Sequence, residues 1–66
     1  MADIYVKALE YVRNTNGGAT RAHFLEDHEP IGERLWERAA KDGAIRTDEN
    51  GRLWLTDTGH ALIPDE

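Results

Sequence analysis

The sequence contains no cysteine, which excludes disulfide bridges and thiolate metal sites. No apolar run approaches the roughly 20 residues that a membrane-spanning helix needs, and the first residues lack the basic and apolar regions of a signal peptide. Lys and Arg number 8 against 13 Asp and Glu, so the net charge is −5. We therefore expect a cytoplasmic protein without a membrane partner. The acid excess argues against a nucleic-acid ligand, because Lys and Arg contacts with phosphate supply most of that affinity.

The size of the chain limits what it can do. A chain of 66 residues buries about 60% of its unfolded surface, which predicts one domain over residues 1–66 with a small core. Hydrophobic residues make up 39% of the sequence and include two Trp, two Tyr and one Phe, which is enough for such a core. There is little room for an enclosed active site.

Residues 3–13 have the periodicity of a surface helix, with Asp3 as a candidate N-cap. At about 100° per residue, six apolar side chains fall on one arc of this helix. These are Ile4, Tyr5, Ala8, Leu9, Tyr11 and Val12. Val6 is the exception, because it lies on the polar side, where it is either a lone exposed side chain or a dimer contact.

A second helix over 21–28 and a third over 30–42 are predicted in quick succession. Thr20 is a good N-cap for the second helix, Pro30 suits the first turn of the third, and Gly43 is a typical stop. The short connection indicates a helix-turn-helix. Gly32 weakens the third helix, which predicts close packing against a neighbour, while Trp36 is expected in the core.

Residues 44–56 predict a β-hairpin. Two extended runs flank the sequence DENG at 48–51, and Asn-Gly is a strong hairpin signal. Alternation places Leu53 and Leu55 on one face and Trp54 on the other. A last short helical turn follows, capped by Thr56 or Asp57, and the sequence finishes with an acidic pair at positions 65–66.

This order of elements is that of a winged helix-turn-helix domain, an α+β and mostly helical fold. Two stretches carry the resemblance. Residues 41–46 (KDGAIR) resemble the junction between recognition helix and wing, and residues 55–62 (LTDTGHAL) resemble the Leu-Thr-x-x-Gly-x-x-Leu ending of bacterial regulators of the MarR and PadR kind. The dimerisation helices that flank the winged core in those families are missing here.

The resemblance implies a DNA-binding transcriptional regulator for double-stranded DNA, with helix 30–42 in the major groove and the hairpin as wing. The candidate contacts are basic side chains on the second helix, the third helix and the hairpin: Arg21, Arg34, Arg38, Lys41, Arg46 and Arg52. The alternative is that these are solvated surface charges, and an ion pair between Glu37 and Lys41 would mask one of them. With so few cations, tight binding would need a homodimer or a protein partner.

A second hypothesis is an acidic winged helix that binds protein and not DNA, as an adaptor, an inhibitor or a phage-type modulator. Its candidate contacts are Val6, Glu33, Glu37 and Trp54. The acidic total and the mixed polar face of the third helix favour this hypothesis.

No pattern in the sequence predicts an enzyme or a cofactor. His23 and His28 are five residues apart and therefore face different ways on a helix, unlike zinc ligands spaced by four. His28 is expected to be a partly buried structural histidine. Thr56, Asp57 and His60 are adequately explained by a helix cap and a surface histidine.

Overall fold

The structure is a computed structural model that describes residues 3–64. Within that range it contains helices α1 (Ile4–Thr15), α2 (Arg21–Asp27), α3 (Gly32–Asp42) and α4 (Asp57–Leu62), with strands β1 (Ile45–Thr47) and β2 (Leu53–Leu55) between the last two helices. The predicted order of elements is confirmed, and the α+β arrangement is compatible with a winged helix-like shape. The acidic pair at 65–66 lies outside the described residues.

The helices begin and end where local chemistry supplies partners for the backbone. The Asp3 carboxylate accepts from the Tyr5 amide, and Thr20 and His23 form a reciprocal capping box at the start of α2. Helix α3 ends at Gly43, whose φ of 69° is left-handed. The start of α3 differs from the prediction, because the helix begins at Gly32 and not at Pro30. Ile31 is its N-cap and makes no side-chain capping bond.

The core lies where α1, α2, α3 and the hairpin meet, and its most deeply buried large side chains are Phe24, Leu9, Leu53 and Val12. Two predictions for α1 are wrong. Ile4 is 50% exposed, whereas Val6 is partly buried against the core. The buried direction of α1 runs between Tyr5 and Val12, which rotates Ile4 out and Val6 inward.

Gly32 makes the close approach that the sequence predicted. A Cβ atom at this position would lie 2.7 Å from the backbone oxygen of Leu25. Helices α2 and α3 therefore meet backbone to backbone at the turn. Trp36 is only half-buried, and its ring meets that of Phe24 edge to face at 5.6 Å.

The hairpin is antiparallel, and Arg46 stands opposite Trp54 in its register. The strands are shorter than the predicted 44–56 span. The loop is closed by Asp48, whose amide donates to Arg52 O at 3.0 Å, and Gly51 has the left-handed φ of 78°. Arg52 itself pairs as an isolated bridge with Thr20, so the hairpin is joined to the segment that precedes α2.

Helix α4 packs on the junction between α3 and β1. Thr56 caps it by accepting from the Gly59 amide at 3.1 Å, and the same hydroxyl donates to Gly43 O at 2.6 Å. Gly59 is buried so close to the Ala44 carbonyl that a Cβ atom would collide with it. These contacts give Thr56 and Gly59 of the Leu-Thr-x-x-Gly stretch a structural role.

Candidate nucleic-acid interface

The exposed face of α3 carries both signs of charge. Gly32, Leu35 and Ala39 turn inward. The opposite face holds two acids and two bases, all of them exposed: Glu33, Arg34, Glu37 and Lys41. The predicted Glu37–Lys41 ion pair does not form; among residues 3–64, the side chains within 4.0 Å of an opposite charge are Arg38 and Asp42. The face is therefore divided and nearly neutral.

Arg38 leans toward α1 and away from the centre of this face. Its guanidinium carbon lies 4.1 Å from the centroid of the Tyr5 ring, and its Nε is 3.9 Å from Asp42 Oδ2. The Tyr5 hydroxyl donates to the same carboxylate oxygen at 3.0 Å. Burial and this hydrogen bond raise the pKa of Tyr5 to about 12. Arg38 thus contacts both partners of the Tyr5–Asp42 hydrogen bond that joins α1 and α3. Its own long, exposed ion pair with Asp42 contributes little to stability.

Arg21 lies on the other flank of α3. Its guanidinium carbon is 5.6 Å from the centroid of the Trp36 ring, within the range of a cation–π contact. Trp36 and Arg38 are two residues apart on α3 and therefore point to opposite sides of the helix. Because Arg21 lies over Trp36, Arg21 and Arg38 are on opposite flanks of the exposed face of α3. Glu33 and Glu37 lie nearer the Arg21 flank, and Arg34 and Lys41 lie nearer the Arg38 flank.

Arg46 and Arg52 share the outer face of the hairpin with Trp54. Arg46 lies over the Trp54 ring at 5.6 Å, and Arg52 Nη1 donates to Gly18 O at 3.2 Å. The Trp54 ring covers Gly17, where a Cβ atom would come within 2.5 Å of it. The loop before α2 therefore packs against this face, and the Thr20–Arg52 bridge places Arg52 next to the start of α2.

Asp48 organises the hairpin and was missed from the sequence. Its Oδ1 accepts from the amides of Asn50 and Arg52, both at 2.9 Å, and its Oδ2 accepts from the Trp54 indole N–H at 2.8 Å. The indole N–H, followed by the Arg52 amide, lowers the pKa of the Asp48 carboxyl. An Asp at the start of a turn is a known signal for such a side-chain bond, but nothing in the sequence indicated the contact with Trp54.

The six predicted DNA contacts are all exposed and fall into two groups. Arg34, Arg38 and Lys41 lie on α3. Arg46 and Arg52 lie on the hairpin, and Arg21 is adjacent to Thr20, which bridges to Arg52.

The predicted protein contacts are also dispersed. Glu33 and Glu37 are exposed on α3. Val6 packs against the core, and Trp54 is half-buried between Gly17 and Arg46. Val6 and Trp54 are thus only partly exposed.

Two further features of residues 3–64 bear on function. No three His, Asp or Glu side chains in this range are grouped so that they could hold a metal ion. No helix in the same range has the length and apolar character needed to cross a membrane. His28 is half-buried, with Nδ1 2.7 Å from Phe24 O, in agreement with the structural role predicted for it.

The chain has no significant match among protein-family profiles, curated proteins or solved structures.

Proposed function

We propose that this chain is a winged helix module that binds double-stranded DNA as a transcriptional regulator. In this proposal the exposed face of α3 lies toward the major groove, and the hairpin is the wing and lies toward the phosphate backbone. The order of elements, the hairpin register and the Thr20–Arg52 bridge support this arrangement.

The observation that carries the proposal is how the arginines are held. Arg21, Arg38 and Arg46 lie over aromatic rings at cation–π distance, and Arg52 donates to a backbone carbonyl. These contacts orient a guanidinium group without cancelling its charge. Although acids outnumber bases in the sequence, Arg38 alone among the described arginines has a carboxylate within 4.0 Å. Arg21, Arg46 and Arg52 are therefore positioned and have no carboxylate of residues 3–64 within 4.0 Å, which leaves them available to phosphate.

The divided face of α3 sets how such a protein would bind. Glu33 and Glu37 repel phosphate, so affinity from α3 is small and the contribution of the hairpin arginines is large. In the major groove the same face offers Arg34 as a donor to guanine in a specific site or to phosphate on a random sequence, and Glu33 as an acceptor from the cytosine amino group. We therefore expect weak binding by one copy, strengthened by a second copy or a protein partner.

The proposal is tested by the salt dependence of binding to a random-sequence duplex, measured by fluorescence anisotropy. We expect binding at low salt, and we expect Arg34→Ala and Arg52→Ala each to reduce the slope of log K against log salt by about 0.9. Arg34 is the cleaner probe, because Arg52 also contacts Gly18 O.

Lys7→Ala is the matched control. It removes the same charge from an exposed position on the side of α1 opposite its buried residues, and should leave the slope unchanged. Undetectable binding at low salt would refute DNA binding. An equal change of slope in Lys7→Ala would show that the measurement follows net charge and not this surface.

A further inference from the structure

An open cleft lies at the turn between α2 and α3. It has a volume of about 430 Å³ and is lined by Leu25, Glu29, Pro30, Gly32 and Glu33. At Gly32, which lines the cleft, α3 starts directly against the Leu25 backbone, where a side chain would not fit. It is too open to enclose a small molecule, but it is large enough to receive one or two side chains of another protein.

The lining of the cleft combines an apolar floor with an acidic rim. Leu25 is half-buried against the core and Pro30 is exposed, so both present aliphatic surface. Glu29 and Glu33 also line the cleft, and both are exposed. Within residues 3–64 neither of these two carboxylates has a Lys, Arg or His nitrogen within 4.0 Å.

The two charged residues that line the cleft, Glu29 and Glu33, are both acidic, and Arg34 is the next residue along α3. Positions 26–33 contain Glu26, Asp27, Glu29 and Glu33 and no Lys or Arg, which is a charge of −4 in a chain whose total is −5. Asp27 is occupied by the Tyr11 hydroxyl, which donates to it at 2.6 Å. The two glutamates that line the cleft attract cations, so the cleft is complementary to a basic ligand.

We propose that this cleft, which we call the α2–α3 cleft, docks a short basic segment of a partner protein. One aliphatic side chain of the segment enters over Leu25 and Pro30, and flanking Lys or Arg side chains meet Glu29 and Glu33. The apolar floor fixes where the segment binds, and the glutamate charges select a basic partner. This docking does not depend on DNA binding.

The expected affinity is modest and sensitive to salt. Exposed ion pairs contribute roughly 1.4- to 5-fold each and are screened at high ionic strength. Loss of both glutamate charges should therefore weaken binding by roughly 2- to 25-fold.

The test uses a fluorescein-labelled peptide, Lys-Lys-Leu-Lys-Lys, titrated with the full chain at low salt. We expect saturable binding, with amide shifts in the ¹H–¹⁵N spectrum concentrated at Leu25, Gly32 and Glu33. Replacement of the leucine of the peptide by serine should weaken binding, and replacement of its lysines by glutamate should abolish it.

Two double variants of equal net charge separate docking from general attraction. E29Q/E33Q removes the rim of the cleft, and E10Q/E49Q removes two carboxylates elsewhere; each changes the net charge from −5 to −3. We expect the first to weaken binding by the factor given above and the second to change it less than 1.5-fold. Spectra of the unbound variants check that both are folded, and Glu29→Gln alone is the substitute if the double variant is not.

Equal weakening in the two double variants would overturn the proposal. So would amide shifts spread over all carboxylates, or a serine-substituted peptide that binds as well as the original. Each of these results would mean that the peptide follows the overall charge of the protein and not the cleft.

Discussion

Gly32→Ala is the substitution that most directly tests the packing of α3. On an exposed helix, glycine to alanine stabilises, because alanine restricts the unfolded chain and has the higher helix propensity. At Gly32 the new Cβ would lie 2.7 Å from Leu25 O and 3.0 Å from Leu25 Cα. Both are backbone atoms, so they cannot rotate away as a side chain would, and α3 must shift.

The magnitude follows from two opposing terms. Overpacking of this kind costs about 1–3 kcal/mol, and the gain in helix propensity is at most about 1 kcal/mol, less at the first position of a helix. The net loss is therefore between about 0 and 3 kcal/mol, and its central value of about 1–2 kcal/mol is large for a chain whose total stability is roughly 3–10 kcal/mol at 66 residues.

Urea unfolding monitored by tryptophan fluorescence measures this loss. With a slope near 1 kcal/mol/M, the midpoint should fall by about 1–2 M. Ala40→Gly is the control, because Ala40 is exposed on the same helix and glycine there should cost up to about 1 kcal/mol through propensity alone. The structure thus predicts that alanine is the worse residue at position 32 and the better one at position 40. A Gly32→Ala protein as stable as the wild type, or more stable, would refute the close approach of α2 and α3.

Two predictions concern the dependence of stability on pH. The carboxyl of Asp48 has a pKa below its ordinary 3.8, chiefly because it accepts from the Trp54 indole. The contribution of this carboxylate to folding stability is therefore complete above pH 3.8 and is lost as pH falls through the lowered pKa. Asp48→Asn should therefore lower the thermal midpoint at pH 6, and the difference from wild type should vanish in acid; parallel pH profiles would contradict the contacts of Asp48. Burial raises the pKa of both tyrosines from 10.0 to about 12, together with a hydrogen bond from Tyr5 to Asp42 and one from Tyr11 to Asp27. The contribution of these tyrosines to folding stability is therefore complete below pH 10 and is lost as pH rises toward 12. Absorbance at 295 nm should show phenolate near pH 12 in the folded protein and near pH 10 in urea, and Tyr5→Phe should remove half of the folded signal; a tyrosine that titrates near pH 10 in the folded protein would contradict its burial.

The local signals in the sequence predicted the order of elements because each depends on neighbours along the chain. Thr20 caps α2, Thr56 caps α4 and Gly43 ends α3, as their residue types indicate. Pro30 predicts a start for α3 that is too early. Proline favours the first turn of a helix, but that preference says nothing of the backbone contact that starts the helix at Gly32. The start of a helix is set by packing as well as by propensity.

Contacts between elements were beyond what the sequence could predict. A helical wheel gives the width of the apolar arc but not the direction of the core, and a modest rotation exchanged the expected environments of Ile4 and Val6. The stacking of arginines on Tyr5, Trp36 and Trp54 joins residues from 8 to 33 positions apart. No periodicity within one element encodes such pairs, and they are the contacts that position the candidate interface.

Glu33 belongs to both proposed surfaces, and this links them. It lies on the exposed face of α3 and also lines the α2–α3 cleft. A carboxylate there repels the phosphates that Arg34 would contact, and it attracts the cations of a basic partner. A bound basic segment would cancel that repulsion at the end of α3 that the proposal places in the major groove. Glu29 and Glu33 are two of the acids that argue against DNA binding by the isolated chain, and they line the cleft where a basic partner would offset them. The proposed DNA binding should therefore be tighter with a basic partner than without one.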